Sequence, residues 1–289
     1  MISPTTGRPL GVQLFSVLAE LHADLDATLA GLRELGFTHV EAAGLVGRTP
    51  RMLRDALDRA GLGCTSAHVP LEPLVPTGEP DLRSLDAVID IAGALGLEQF
   101  VVPLFPLPAR AGGQREGEHV LAYLFRAAQM IDADDWRALA DTLNAKAAAL
   151  AGAGLTLAYH NHNVEFARFG DRTGYDLLIA RTDPALVSFE LDVGWVAAAG
   201  LDPAALLLRH PGRFSALHLK DVAPVAANAS FQGHSTEVGG GMVDWRAVLA
   251  AADRIGVARF YVEQEPPFPG PPLASLGRSI AFLRQIDRA

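Results

Sequence analysis

Residues 134–162 read "DDWRALADTLNAKAAALAGAGLTLAYHNH" and contain one repeat unit of the fold. An acidic start suits the N-terminal end of a helix dipole, a long helical pattern follows, and glycines stop it. The chain then turns β-rich in "LTLAYHNH" (155–162) and ends that run on two histidines one residue apart. The same alternation runs in both directions. Upstream, "DLDATLAGLRELG" carries Leu25, Leu29, Leu32 and Leu35 at helical spacing with a stop at Gly36, and "DLRSLDAVIDIAGALG" repeats the pattern. Eight β-rich runs are expected: 11–17, 39–44, 64–69, 100–105, 155–162, 187–193, 214–221 and 259–265. Eight strand–helix pairs in 289 residues predict an α/β fold, a single-domain (β/α)8 TIM barrel over residues 1–289. The runner-up is an open doubly wound sheet, but no glycine-rich phosphate loop follows "GVQLFSV". The triplet "GGG" at 239–241 lacks the lysine and hydroxyl of a nucleotide loop and reads as a flexible turn.

Composition narrows the partners. About half the residues (49 %) are hydrophobic, enough for a large core. The 33 acids outnumber the 24 bases, with no basic run, which argues against nucleic acid. No apolar run approaches the roughly 18 residues of a membrane span, and no signal-like segment opens the chain. The single cysteine, Cys64, permits no intrachain disulfide, so a cytoplasmic setting is expected. The composition is compatible with a homo-oligomer.

In a barrel the C-terminal strand ends share one mouth. Here they carry Glu41, His68, His160 with His162, Asp192, His218 with Lys220, and Glu263 with Glu265. Such groups are costly in a core unless paired or bound to a cation. Asp192, His218 and Glu263 offer donors suited to Mn²⁺, Co²⁺, Zn²⁺ or Mg²⁺. Each also has a purely structural reading: a helix cap for Asp192, a satisfied core histidine for His218, an ion pair with Lys220 for Glu263. Connections 106–119 and 222–243 are long enough to wall or cover the mouth.

The stretches "GVQLFSVLAEL", "LGFTHVEAAGL", "ELDVGW", "LHLKDV", "VGGGMVDW" and "FYVEQEP" resemble the xylose-isomerase-like barrels, which include sugar isomerases, 3-epimerases and inosose dehydratases. The resemblance covers essentially the whole chain. It implies one divalent metal held by a fifth-strand glutamate and by residues matching Asp192, His218 and Glu263. This sequence departs at the first of these, where Ala158 aligns. Side chains alternate along a strand, so His160 and His162 share the face of Ala158, and His160 is the expected fourth ligand. Glu190 and Glu165 stay open as alternatives, and Glu165 also matches a glutamate that contacts substrate in the epimerases.

The resemblance implies proton removal beside a carbonyl of a sugar or keto-sugar. Glu263 is the expected base, His162 or His160 the opposite acid, and Lys220 a group that neutralises developing charge or contacts a substrate oxygen, with a salt bridge to Glu263 or Glu265 as its structural alternative. His68 is expected to bond a substrate hydroxyl, and Trp195 with Phe15 to provide an apolar wall. An isomerase or epimerase leads. An inosose-dehydratase-like lyase is the alternative, because "YHNH" is similar to the "YHHH" of those enzymes. A repair endonuclease is opposed by Trp195, where that branch has a histidine ligand, and by the acidic charge. A sugar-binding barrel without turnover is the remaining class. No arginine cluster lies near the strand ends, which favours an unphosphorylated substrate. Glu41, Pro103, Gln264, His22, His39, His119 and His210 have no assigned role.

Overall fold

The computed structural model describes residues 9–73 and 79–286. Eight parallel strands close into a barrel, numbered here β1 (Leu10–Gln13), β2 (His39–Ala43), β3 (Gly63–His68), β4 (Gln99–Val102), β5 (Thr156–His160), β6 (Val187–Asp192), β7 (Phe214–Leu219) and β8 (Arg259–Val262). Around the barrel the order is β1-β8-β7-β6-β5-β4-β3-β2, each strand beside its sequence neighbours, with β8 returning to β1. The closed barrel replaces the open sheet considered as runner-up. No helix among the described residues is long and apolar enough to cross a membrane.

The helices form for the reasons their sequences suggest. Helix Leu25–Leu35 starts on Asp24, whose carboxylate accepts from Ala27 N, and ends at Gly36, which takes φ +101° in the left-handed region. Helix Ala133–Ala151 opens with a reciprocal capping box between Asp132 and Asp135 and buries Trp136, Leu139, Leu143, Ala147 and Leu150 against the barrel. Apolar side chains thus fill the layer between strands and helices.

Inside the barrel the filling is polar. Gln99 donates to Ser188 Oγ and Ser215 Oγ, at 3.2 and 3.1 Å, near one end. Glu41 accepts from Gln13 Nε2 at 2.7 Å and from Ser66 Oγ at 2.6 Å. Register then sets the mouth: Ala43 pairs with His68, His160 with Glu190, and Asp192 with His218.

Several strands are shorter than their β-rich runs. "LFSV" is a 3-10 turn, Leu14–Val17, with Gln13 Oε1 accepting from Phe15 N. β5 stops at His160, β7 at Leu219 and β8 at Val262, so His162, Lys220, Glu263 and Glu265 stand just past the strand ends. The glycine triplet is pinned by a buried carboxylate: Asp221 accepts from Gly239 N, Gly241 N, Val243 N and Trp245 Nε1. A Cβ on Gly241 would lie 2.2 Å from Asp221 Oδ1.

Candidate metal centre and active site

One donor atom from each of His160, Asp192, His218 and Glu263 lies within 4.8 Å of the others. All four side chains are buried. Each histidine turns one nitrogen to this cluster and the other to a carboxylate behind it. His218 Nδ1 is 3.0 Å from Glu263 Oε2, while its Nε2 is 2.8 Å from Glu41 Oε2. His160 Nε2 is 4.0 Å from Asp192 Oδ2, while its Nδ1 is 3.1 Å from Glu190 Oε2. A carboxylate behind each imidazole is how protein metal sites fix ring orientation and tautomer.

Asp192 serves two purposes with two oxygens. Its Oδ1 accepts from Trp195 N at 2.9 Å and caps the short helix Val193–Ala198. Its Oδ2 has Lys220 Nζ at 3.1 Å as an ionic neighbour but no well-directed hydrogen bond. A buried carboxylate oxygen left this way, among two imidazoles and a second carboxylate, fits a divalent cation. A second, overlapping group (His68, His160, Glu190 and His218) also brings donors within 4.8 Å. It would use the carboxylate-facing nitrogens, since Glu190 Oε2 lies 3.1 Å from His160 Nδ1 and 2.9 Å from His218 Nε2.

Cations and anions are interleaved throughout the site. Lys220 Nζ, wholly buried, is 3.1 Å from Asp192 Oδ2, 2.9 Å from Glu263 Oε2 and 2.5 Å from Glu265 Oε1. Burial disfavours a charged Lys220, but Asp192 and Glu263 raise its pKa well above the usual lysine value. Burial likewise works against charge on Glu263, yet Lys220 and His218 hold its carboxyl well below the usual range. Asp192 is pushed up to about 6 by burial, with Lys220 pulling the other way. His68 overcomes burial through Glu41 and Glu190 and is raised to about 9. Its Nε2 stands 3.1 Å from Glu41 and 3.0 Å from Glu190, and its ring stacks on His218 at 5.3 Å.

His162 is a different kind of histidine. Burial, then Lys220, lowers its pKa to about 3, so it is neutral at physiological pH. Its Nδ1 is buried without a hydrogen-bond partner, as is Trp195 Nε1. Beside the His160 imidazole at 5.2 Å, the rings of Phe105 at 5.9 Å, Trp195 at 5.6 Å and Phe231 at 5.0 Å surround it. Phe15, the other expected wall residue, is 46 % exposed. Glu165 accepts from Tyr159 Oη at 2.6 Å and from His162 N at 3.0 Å, and is fully buried. It therefore braces the turn that carries His162, bonded to an outward-facing tyrosine of β5.

Sequence reasoning left Glu41 without a role and passed over Phe231 and Asn163. Glu41 had a signal, a carboxylate in a β-rich run, whereas Phe231 sits in a loop of no regular pattern.

A parallel barrel whose strand ends gather histidines and carboxylates defines the class. The chain belongs to the xylose isomerase-like TIM barrel family, whose model matches residues 29–286. An inosose dehydratase of Geobacillus thermodenitrificans is 27% identical over 250 residues, spanning 82% of this chain and 81% of that protein. A sugar phosphate isomerase/epimerase of Parabacteroides distasonis superposes with a TM-score of 0.72 at 24% identity, covering 96% of this chain and 94% of its own. The IOLI protein, solved with a binding zinc atom, gives 0.66 at 13% identity, covering 96% and 97%. At these identities the solved structures show a shared fold.

Proposed function

We propose that the protein is a divalent-metal-dependent isomerase or epimerase that removes a proton beside the carbonyl of a keto-sugar or related keto-polyol. The observation that carries this reading is the four-donor cluster of His160, Asp192, His218 and Glu263, with Lys220 against it and the unpartnered His162 Nδ1 nearby. A cation there would supply a Lewis acid to stabilise charge developing on the carbonyl oxygen. Glu41 and Glu190 orient the two imidazoles. Glu263, held ionised beside Lys220, takes the substrate proton. The Lys220 ammonium offsets negative charge that grows as the proton leaves. His162, held neutral by burial, hydrogen-bonds a substrate oxygen instead of cycling through imidazolium, the role a neutral imidazole plays as an electrophile. His68 and Trp195 contribute the remaining contacts to hydroxyls and ring carbons.

A second outcome of the same step is dehydration, in which the proton goes to a departing β-hydroxyl. Two features favour it: the family resemblance aligns Ala158 with a glutamate of the symmetric two-carboxylate sites, and the relative above is an inosose dehydratase. Both outcomes are tested by incubating the metal-loaded enzyme with keto-sugars and an inosose in D₂O and following the carbon next to the carbonyl by NMR. Loss of the proton at that carbon is expected in either case. Deuterium returned there in an epimer, or delivered to the former carbonyl carbon in an isomer, assigns the first reading, and loss of water to an unsaturated ketone or its diketone tautomer the second. Neither exchange nor loss of water with any keto-polyol would overturn both.

A further inference from the structure

The connection after β7 reaches back across the mouth to the histidine turn. Asn163 Nδ2 donates to Asn228 Oδ1 at 2.8 Å and to Gln232 O at 3.1 Å, and Asn163 Oδ1 accepts from Phe231 N at 2.9 Å. Phe231 has φ +59°, a left-handed conformation that a bulky residue keeps only when its surroundings enforce it. The three bonds to Asn163 supply that enforcement. Its ring then stacks on Trp195 at 5.6 Å with 14° between planes, and meets Phe105 edge-on at 5.5 Å. Trp195 in turn lies under Lys220 Nζ, 5.1 Å from its ring centre. One side of the site is therefore a continuous aromatic wall, with two buried nitrogens, His162 Nδ1 and Trp195 Nε1, unpartnered beside it.

We propose that Asn163 is a positioning residue that holds Phe231 in this wall, and that the wall selects a cyclic polyol over an open-chain one of the same size. The inference rests on the keto-polyol reading above. A ring polyol carries C–H groups on its faces and hydroxyls around its rim. Its face can be buried on the aromatic wall while rim hydroxyls meet the unpartnered nitrogens. An open chain presents hydroxyls on both sides and must also freeze its torsions on binding.

The test titrates the protein with myo-inositol and with sorbitol, each with six carbons and six hydroxyls, with Mn²⁺ and again with chelator. Binding is read from Trp195 emission as the difference from Trp195→Phe. Wild type is expected to bind the ring about tenfold tighter, and Phe231→Ala or Asn163→Ala to bring that ratio within about threefold of unity. Phe231→Tyr keeps the selectivity. Equal binding of the two polyols, no binding of inositol, or an unchanged ratio in Phe231→Ala with wild-type circular dichroism would overturn the proposal. Phe231→Ala leaves the Asn163 clip in place, so the test stands even if Asn163→Ala does not fold. Ring selectivity with neither proton exchange nor loss of water would sink the reaction and leave the wall; either reaction without selectivity would do the reverse.

Discussion

Glu190 Oε2 lies 3.1 Å from His160 Nδ1, which leaves His160 Nε2 as the nitrogen directed toward Asp192. The carboxylate that competed with His160 as a ligand in the sequence thus stands behind it. Glu41 holds the same relation to His218. Glu190→Gln and Glu41→Gln should each weaken divalent-metal affinity by roughly 10- to 100-fold without abolishing it. Competition titration against a metal indicator checks this, and unchanged affinity in both variants would contradict the orienting role.

His162 should matter to the reaction and not to the metal. His162→Ala is expected to lower kcat by about 10²-fold or more while metal stoichiometry stays at the wild-type level. Because burial keeps the imidazole neutral, the wild-type pH–rate profile should show no limb between pH 5 and 8 that disappears in this variant. Such a limb, lost on substitution, would show that His162 titrates during turnover.

Glu165 makes a pH prediction with a definite sign. Burial raises its pKa to about 7, above the ordinary 4.5, so the folded protein keeps this proton to higher pH than the unfolded chain does. Between those values the unfolded state binds fewer protons, and stability falls as pH rises. Glu165→Gln mimics the protonated form and should gain about 2–3 kcal/mol relative to wild type between pH 4.5 and 7.5. Urea unfolding of both proteins at the two pH values measures it. A difference that stays constant with pH would refute the shift.

Asp221 is expected to be the most destabilising single carboxylate to remove outside the site. Asp221→Ala strands the amides of Gly239, Gly241 and Val243 and the Trp245 indole N–H. The loss should reach at least about 3 kcal/mol, with a fall in Tm of several degrees. A thermal scan within one degree of wild type would contradict it.

The barrel was legible because its signals are periodic and local. Leu25, Leu29 and Leu32 mark a helix face and Gly36 its end, and these recur unit after unit. Asp192, His218 and Glu263 could be picked out because strand ends converge in any such barrel. Less legible was what depends on where a strand stops. β5 ends at His160, so His162 is placed by the turn that Glu165 braces and not by strand alternation. Glu41 reads locally as a lone carboxylate, and only closure of the barrel brings it to His218, 177 positions away. Phe231 takes its place from Asn163, 68 positions earlier, in a loop whose sequence carries no period.

In the function proposed above, His160, Asp192, His218 and Glu263 hold one divalent metal. Isothermal titration of the chelator-treated protein with Mn²⁺ and Zn²⁺, on wild type, His160→Ala, Asp192→Ala and Glu190→Ala, tests it most directly. One ion per chain is expected in wild type, with loss of binding in His160→Ala and Asp192→Ala and weakened but measurable binding in Glu190→Ala. Retained affinity in Asp192→Ala with complete loss in Glu190→Ala would place the ion among His68, His160, Glu190 and His218 instead, and a wild type that binds neither ion would contradict the metal centre altogether.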